Sequence, residues 1–288
     1  DPDKFLYSHY YPFMHLPERY LFMNTQVPFT ELVWTFGGAR EVAEQTFKVR
    51  HSQNVNRYLN FGLVFDVVYN LGQYSYQRAI NKNFAFNTSY TGEKYKLYFA
   101  AGINNISTNE NGGIADNSHL SQFDTRDVEV KLGGLNEAAG VLKNRNFMLV
   151  QRYTVGSESK AKPDSAAKAG SFRLSGTFSH ILTLENNRRT YSDNMPESGF
   201  YDTIFINKGE TFDSLYSGSL KNTLRFDFST DETRKFRLGG GAGIRNEFHR
   251  YSQINPSHGI PEADTATWKK NNFVITGRLY NNIGEKCR

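Results

Sequence analysis

The sequence predicts an all-β protein, an antiparallel transmembrane β-barrel with at least 12 strands. Three observations lead to this prediction. Apolar residues alternate with polar or small residues over long stretches, tight turns alternate with long polar connections, and the chain is rich in aromatic residues although its mean hydropathy is only −0.59. Membrane strands expose an apolar face on one side only, so their average hydropathy stays low.

Composition limits the classes of protein that remain. The chain has 288 residues, with 34 Lys and Arg against 29 Asp and Glu, and no block of like charge that is typical of a nucleic-acid-binding arm. Aromatic residues make up 15%, which excludes a wholly disordered chain. No apolar run reaches the ~18 residues of a spanning helix. We therefore expect a single β-barrel region over 1–288, with an N-terminal lead-in at 1–28 and strands over 29–288.

The clearest strand covers residues 59–71. Its odd positions, from Leu59 through Phe65 to Leu71, are apolar, and its even positions include Asn60 and Asp66. Alternate side chains of a strand point to opposite faces, so one face is apolar and the other polar. A soluble strand usually has about 5–6 residues and a tilted membrane strand about 9–11, so this length favours a membrane strand.

The same alternation recurs along the chain. It predicts further strands at 84–90, 95–103, 172–185, 220–228, 235–244 and 272–280, and less regular ones at 29–36, 44–51, 128–132, 147–155 and 200–207. Short turns are expected at 91–93, 230–234 and 282–286, and long loops near 104–127, 156–171, 208–218 and 249–267. Short turns at one end and long loops at the other are typical of outer-membrane barrels. The connection 186–199 is too long for the turn end and indicates a missed strand pair.

This alternation also predicts which residues face lipid and which line a pore. The expected lipid-facing residues are Phe61, Phe65, Leu97, Phe99, Phe226 and Ile275. The expected pore-lining residues are Lys94, Lys96, Arg173, Lys221, Arg225, Lys235, Arg237, Arg278, Asp66 and Asp227. Basic residues outnumber acidic residues at these pore-lining positions, which predicts that the pore weakly prefers anions. The alternative is that these bases pair with acids from missing strands or from loops.

The sequence carries no recognised catalytic or metal-binding motif. The run 239–243 is glycine-rich but lacks the Gly-Lys-Ser/Thr of a phosphate-binding loop, and neither His-Glu-x-x-His nor Gly-x-Ser-x-Gly occurs. Cys287 is the only cysteine, so a Cys-x-x-Cys metal site is excluded. We expect no enzyme activity, no catalytic residues, no metal and no cofactor.

Several segments carry a family resemblance. They are 9–20 (HYYPFMHLPERY), 53–63 (QNVNRYLNFGL), 71–78 (LGQYSYQR), 89–95, 101–105, 110–114, 151–153 and 176–180. Together they resemble the putative porin family of Bacteroidetes-type outer membranes. The resemblance implies a β-barrel in the bacterial outer membrane. Because members of that family are longer at both ends, we expect this chain to be a section of a larger barrel.

Three functions are consistent with these patterns. The first is a porin-like barrel that passes small solutes and contacts membrane lipid. The second is a structural or docking barrel without an open pore, in a surface complex with other outer-membrane proteins. The third is a soluble β-sandwich that binds a ligand, which the strand lengths oppose. Nucleic acid is not expected as a partner, because the aromatic rings and the charges alternate onto opposite faces.

Overall fold

The computed structural model describes residues 7–38, 44–118, 128–132, 138–156, 174–196, 199–201, 209–230, 236–254 and 265–283. They form one antiparallel sheet of ten strands in sequence order. The strands are β1 Phe29–Gly37, β2 Glu44–Asn54, β3 Leu59–Asn70, β4 Ala79–Thr91, β5 Tyr95–Glu110, β6 Ala138–Val155, β7 Leu174–Asp193, β8 Thr211–Thr230, β9 Phe236–Ile254 and β10 Thr265–Ile283. The described helices are two short 3-10 turns, Ser8–Phe13 and Pro17–Arg19, and no described helix is long and apolar enough to cross a membrane.

The all-β antiparallel prediction is confirmed, and the predicted count of at least 12 strands is not shown. The described part of the chain contains ten strands rather than 12, and β1 and β10 are not paired with each other there, so the sheet is open. Strand length increases along the chain, from 9 residues in β1 to 20 in β7 and β8. These later strands are far longer than the ~5–6 residues of an average soluble strand.

One predicted strand is not part of the sheet, and another lies mostly outside the described residues. The segment 128–132 contributes only an isolated bridge between Ile114 and Val130. In 200–207, residues 200 and 201 lie in a turn, and the others lie outside the described residues. The alternation in 128–132 is only a few residues long, which is too short to distinguish a sheet strand from extended loop backbone.

Without a strand at 128–132, β6 and β7 run opposite to the directions that the sequence assigned, whereas β8, β9 and β10 run as assigned. The connections 55–58, 92–94, 156–173 and 231–235 lie at one end of the sheet, here called the turn end. The connections 38–43, 71–78, 111–137, 194–210 and 255–264 lie at the other, the loop end. The predicted long loop at 156–171 falls, apart from Gly156, outside the described residues, and the strand ends that flank it lie at the turn end. The connection at 186–199 needs no missing strand pair, because β7 continues to Asp193.

Strands also extend into segments that were predicted as loops. Residues 104–110, 211–218 and 249–254 belong to β5, β8 and β9. These segments are rich in Asn, Ser and Thr, which are typical of turns in sequence. Their backbone groups are satisfied by neighbouring strands, as in the pairing of Asn105 with Lys143, so polar side chains do not end the strands.

The sheet has two chemically different faces, since residues paired across antiparallel strands share a face. The apolar face carries the odd residues of β2, β3, β5, β6 and β10 and the even residues of the other strands. The opposite face is called the polar face. Apolar-face side chains are exposed, with 53% of Ile103, 51% of Leu224 and 75% of Ile275 accessible. The buried core of the described residues lies instead on the polar face.

One line of polar side chains crosses the apolar face. The Tyr95 hydroxyl donates to Gln151 at 3.0 Å, and Gln151 Nε2 lies 3.5 Å from His180 Nδ1. His180 Nε2 in turn lies 3.0 Å from Asn222 Oδ1. The polar groups on this line are therefore paired with one another, which lowers the cost of placing them in an apolar environment.

Candidate functional site: a strap on the polar face

An N-terminal segment, residues 7–25, lies across the polar face and is here called the strap. Its Tyr7, Met14 and Leu16 are buried and pack with Ile106 of β5 and Leu142 of β6. Pro12 and Pro17 lie within its two 3-10 turns. These turns are not part of the sheet, so the backbone N–H that proline lacks is not needed to pair with a neighbouring strand. The strap is therefore held by a small apolar cluster on the face that is otherwise polar.

A row of asparagines on four neighbouring strands lies beneath the strap. Asn83, Asn104, Asn144 and Asn187 pair in register from β4 to β7, and each is at most 3% exposed. Asn104 Nδ2 donates to Asn144 Oδ1 at 2.8 Å, and Asn144 Nδ2 donates to Asn187 Oδ1 at 2.6 Å. Glu185 accepts from both Asn144 and Asn187 at 3.1 Å. We call this row the asparagine ladder.

The asparagine ladder binds the strap through backbone groups. Asn83 Nδ2 donates to the Phe13 carbonyl at 2.6 Å. Asn104 makes two bonds to His15, accepting from its N–H at 2.8 Å and donating to its carbonyl at 2.9 Å. An amide side chain supplies both donors and an acceptor, so it can continue the row and bind the strap at the same time. A carboxylate or a hydroxyl at Asn104 could not make this set of bonds.

The second half of the strap is held by Tyr20. Its hydroxyl donates to Asn146 Oδ1, and Asn146 Nδ2 donates to the His15 carbonyl at 2.8 Å. Gly102 of β5 leaves the space that the Tyr20 hydroxyl occupies, because a Cβ at this position would collide with it. Burial raises the pKa of Tyr20 above its ordinary value near 10. The phenol therefore stays protonated and keeps its donor role.

One predicted pore-lining residue contacts the strap. His15 Nε2 lies 2.8 Å from Asp66 Oδ2, and the Asp66 side chain is only 16% exposed. Asp66 is thus a fixed attachment point for the strap.

Two predicted basic residues share one acid. Asp227 Oδ2 lies 2.6 Å from Arg225 Nε, and Asp227 Oδ1 lies 2.7 Å from Arg278 Nη2. The three side chains lie on the polar face of β8 and β10 and form one cluster. Asp227 was itself predicted to line the pore, so these ion pairs join three residues of the predicted set.

The other predicted pore-lining residues are distributed differently. Lys96 and Lys221 lie on the polar face, and Lys94 lies in the turn between β4 and β5. Arg173 and Lys235 fall outside the described residues, and Arg237 lies in β9 with its side chain outside the described part.

The charges of the polar face are nearly balanced once all the described strands are included. Its bases are Lys48, Arg50, Lys96, Arg152, Arg189, Lys221, Arg225, Arg245, Lys270 and Arg278. Its acids are Glu31, Glu44, Asp66, Glu110, Glu185, Asp193, Asp213, Asp227 and Glu247. The excess of bases on the most regular strands is therefore offset by acids on the others.

The expected lipid-facing residues share one face. Phe61, Phe65, Leu97, Phe99, Phe226 and Ile275 all lie on the apolar face. Phe99 makes edge contacts with Phe86 and Phe147 on the neighbouring strands, at centroid distances of 6.2 and 5.1 Å. Among the described residues, no group of three or more His, Cys, Asp or Glu is placed to hold a metal ion.

A family model described as putative porin matches residues 1–288. The chain belongs to the putative porin family. Its members are β-barrels of the bacterial outer membrane, and that location and barrel type apply to this chain. The family resemblance seen in the sequence is thereby confirmed.

Among solved structures, the ferric-catecholate import receptor Fiu of Escherichia coli K12, in a closed form, is similar to this porin-family chain. The identity is 11% and the TM-score is 0.34, with 88% of this chain covered. The chain spans less than half of the receptor, 46% of its length. A search of curated proteins finds no match.

Sequence reasoning missed the strap and the asparagine ladder of this porin-family chain. The signal was present in the asparagines at alternate positions 81, 83 and 87 of β4 and at 144 and 146 of β6. The segment HYYPFMHLPERY was assigned only to a family resemblance, although it forms most of the strap. What the sequence did not show was that the two features meet.

Proposed function

We propose that this chain forms part of a porin-like barrel that passes small solutes along its polar face. The observation that carries the proposal is the chemical separation of the two faces, with apolar side chains exposed on one and buried asparagines on the other. An apolar face without an internal partner fits lipid, and a polar face fits an aqueous lumen. Phe61, Phe65, Leu97, Phe99, Phe226 and Ile275 would then contact lipid.

Barrel closure requires partners for both edges of the sheet. In hydrocarbon each unsatisfied backbone group costs several kcal/mol, so the outward edges of β1 and β10 must be paired. We propose that further strands pair with them, which makes 1–288 one region of a larger barrel. A soluble β-sandwich is less consistent with the structure, because all ten strands belong to a single sheet and leave the apolar face uncovered.

A second candidate function is a plugged barrel that serves as a docking or structural subunit. The strap favours this function because it occupies the polar face of β3 to β6 through bonds to Asn83, Asn104 and Asn146. A segment held by this many bonds narrows the lumen that the polar face would line. The same barrel could then bind other outer-membrane proteins without conducting.

Single-channel conductance in a planar bilayer tests these functions. We expect discrete conductance steps from the intact protein, and larger steps after removal of residues 7–25. Steps seen only after removal would instead support the plugged barrel. An absence of steps from both proteins, each shown by circular dichroism to be folded and inserted, would contradict the porin-like function.

We further propose a weak anion preference in the conducting state. The polar-face bases and acids nearly balance, so the preference should be small and should fade at high salt as charges are screened over about 8–10 Å. The reversal potential under a salt gradient measures it, for the parent and for Arg225→Glu with Arg237→Glu. Cation selectivity in the parent, or an unchanged potential in the double variant, would contradict this proposal.

The family points to a non-enzymatic role. We accordingly propose no catalytic residue, metal or cofactor. The partners that we propose are membrane lipid, small solutes and other outer-membrane proteins.

A further inference from the structure

On the described strands, the apolar face carries basic residues and no acidic residue. Among its described strand residues there is no aspartate or glutamate, whereas the polar face has acids on most strands. The basic residues of the apolar face are Lys82, Lys143, Arg145, Arg188, Arg250 and Lys269, and all six are exposed. We call these six residues the basic strip.

The basic strip occupies one level of the sheet. Each of its residues lies in the part of its strand nearest the loop end, for example Lys82 near the start of β4 and Arg188 near the end of β7. The strip has residues on five strands, which are β4, β6, β7, β9 and β10. The turn-end half of the same face has no Lys or Arg on the described strands and includes Tyr90 and Tyr153, whereas Tyr69 and Tyr216 lie at the loop end.

Like charges in the strip are placed directly opposite one another. Lys143 pairs with Arg188, and Arg250 pairs with Lys269. Cβ atoms of directly paired residues lie about 4.5–5.5 Å apart, and like charges at that spacing are destabilising. The described strand residues of this face offer no carboxylate to offset them. Such pairs become favourable when an anion lies between the two cations, which points to a ligand outside the chain.

The spacing along β4 and β6 places the strip residues of these two strands near a membrane boundary. Lys82 and Tyr90 are eight residues apart on β4, as are Arg145 and Tyr153 on β6. Eight residues at about 3.4 Å each span about 27 Å along a strand, or about 20 Å across a membrane at a tilt near 40°. The apolar band of outer-membrane barrels is about 25 Å tall, so Tyr90 and Tyr153 fall near the interface opposite to that of Lys82 and Arg145.

We propose that the basic strip binds the phosphate groups of lipid in the leaflet at the loop end. This inference rests on the proposed lipid-facing orientation of the apolar face. Arg and Lys make charge-assisted hydrogen bonds to phosphate oxygens, and long loops of outer-membrane barrels are extracellular. The ligand class is therefore a phosphorylated glycolipid of the outer leaflet, and lipid A is its simplest form.

Binding to lipid A with and without its phosphates tests the proposal. The intact protein is reconstituted in nanodiscs that contain phosphorylated or dephosphorylated lipid A, and the retained glycolipid is quantified by mass spectrometry. We expect preferential retention of the phosphorylated form. Replacing Lys143, Arg145 and Arg188 with glutamine should reduce that preference about tenfold or more, since each base near a charged lipid surface contributes about 1 kcal/mol.

A matched control removes three positive charges from the polar face instead. In this variant Arg152, Arg189 and Lys270 are replaced by glutamine. The control should keep the parent's preference. An equal loss in both triple variants would show that net charge alone attracts the lipid, which contradicts a specific strip, and an unchanged preference in the first variant would overturn the proposal. Competition by free inorganic phosphate at equal concentration would indicate a site for a soluble anion instead, which also contradicts a lipid site.

A separate measurement distinguishes failure of the orientation from failure of the strip. The variant Ile103→Cys, in a Cys287→Ser background, is labelled with a fluorophore and exposed to lipids brominated on their acyl chains. Suppose that the lipids quench the label at position 103 but the protein retains both forms of lipid A equally. The lipid-binding role of the basic strip would then be overturned, and the proposed orientation would stand. No quenching at position 103 would overturn the proposed orientation, and the inference with it.

Discussion

Replacing Gly102 with alanine is expected to release the strap while leaving the sheet intact. The added methyl group would point from the polar face into the position of the Tyr20 hydroxyl, and its next neighbour would be Asn146 Oδ1 at 3.0 Å. Tyr20 must then leave its position, since Gly102 is fixed between β4 and β6 by the strand ladder. The substitution acts on the strap and not on strand pairing, because alanine is compatible with extended backbone.

The expected magnitude follows from two contributions. Loss of the hydrogen bond from Tyr20 to Asn146 costs about 1 kcal/mol, and overpacking at a tight contact costs typically 1–3 kcal/mol. Together they make docking of the strap less favourable by about 2–4 kcal/mol. A change of 1.4 kcal/mol is tenfold in an equilibrium constant, so the released population should rise by a factor between roughly 30 and several hundred.

Hydrogen exchange of the strap amides measures this change. The His15 N–H donates to Asn104, so its exchange reports opening of the strap. The matched control is Gly277→Ala, because Gly277 lies in β10 and a Cβ added there would have no neighbouring atom within 4 Å. Unchanged protection of the strap in Gly102→Ala would refute the proposed packing of Tyr20, and lost protection in β5 as well would show that the sheet itself was disturbed.

Three further predictions concern the membrane and the strap. The purified chain should need detergent to stay in solution and should show β-rich circular dichroism, and a well-packed soluble monomer in plain buffer would exclude a membrane barrel. In vesicles, Phe99→Arg should lower the free energy of unfolding in urea by about 2–4 kcal/mol, as expected for a base near the bilayer midplane. Thr183→Arg on the polar face should cost much less, and equal costs would count against the proposed orientation. The protection factors of the strap amides, which compare their exchange with the intrinsic base-catalysed rate at each pH, should fall as the pH rises above 10, because burial raises the pKa of Tyr20 and only the released phenol ionises readily. Docking is fully retained below the ordinary tyrosine pKa, and Tyr20→Phe should abolish this pH dependence.

The strands and their two faces could be predicted from the sequence because a strand places side chains with a period of two wherever it lies. The assignment of Phe61 and Phe65 to one face and Asp66 to the other needed only this period. The ends of the strands could not be predicted in the same way. Asn104 and Asn105 look like loop residues, yet they continue β5, because backbone pairing with β6 depends on the neighbour and not on their own side chains.

By itself, then, the sequence determined the fold class, the strand faces and the family resemblance, all of which are local properties of the chain. Only the tertiary structure decided that 128–132 is not a sheet strand, that Arg225 and Arg278 share Asp227, and that the strap lies on the asparagine ladder. Residues 15 and 104 are 89 positions apart, and no periodicity links them. Their contact exists because neighbouring strands bring the asparagines into one row, and pairing in register is a property of the whole sheet.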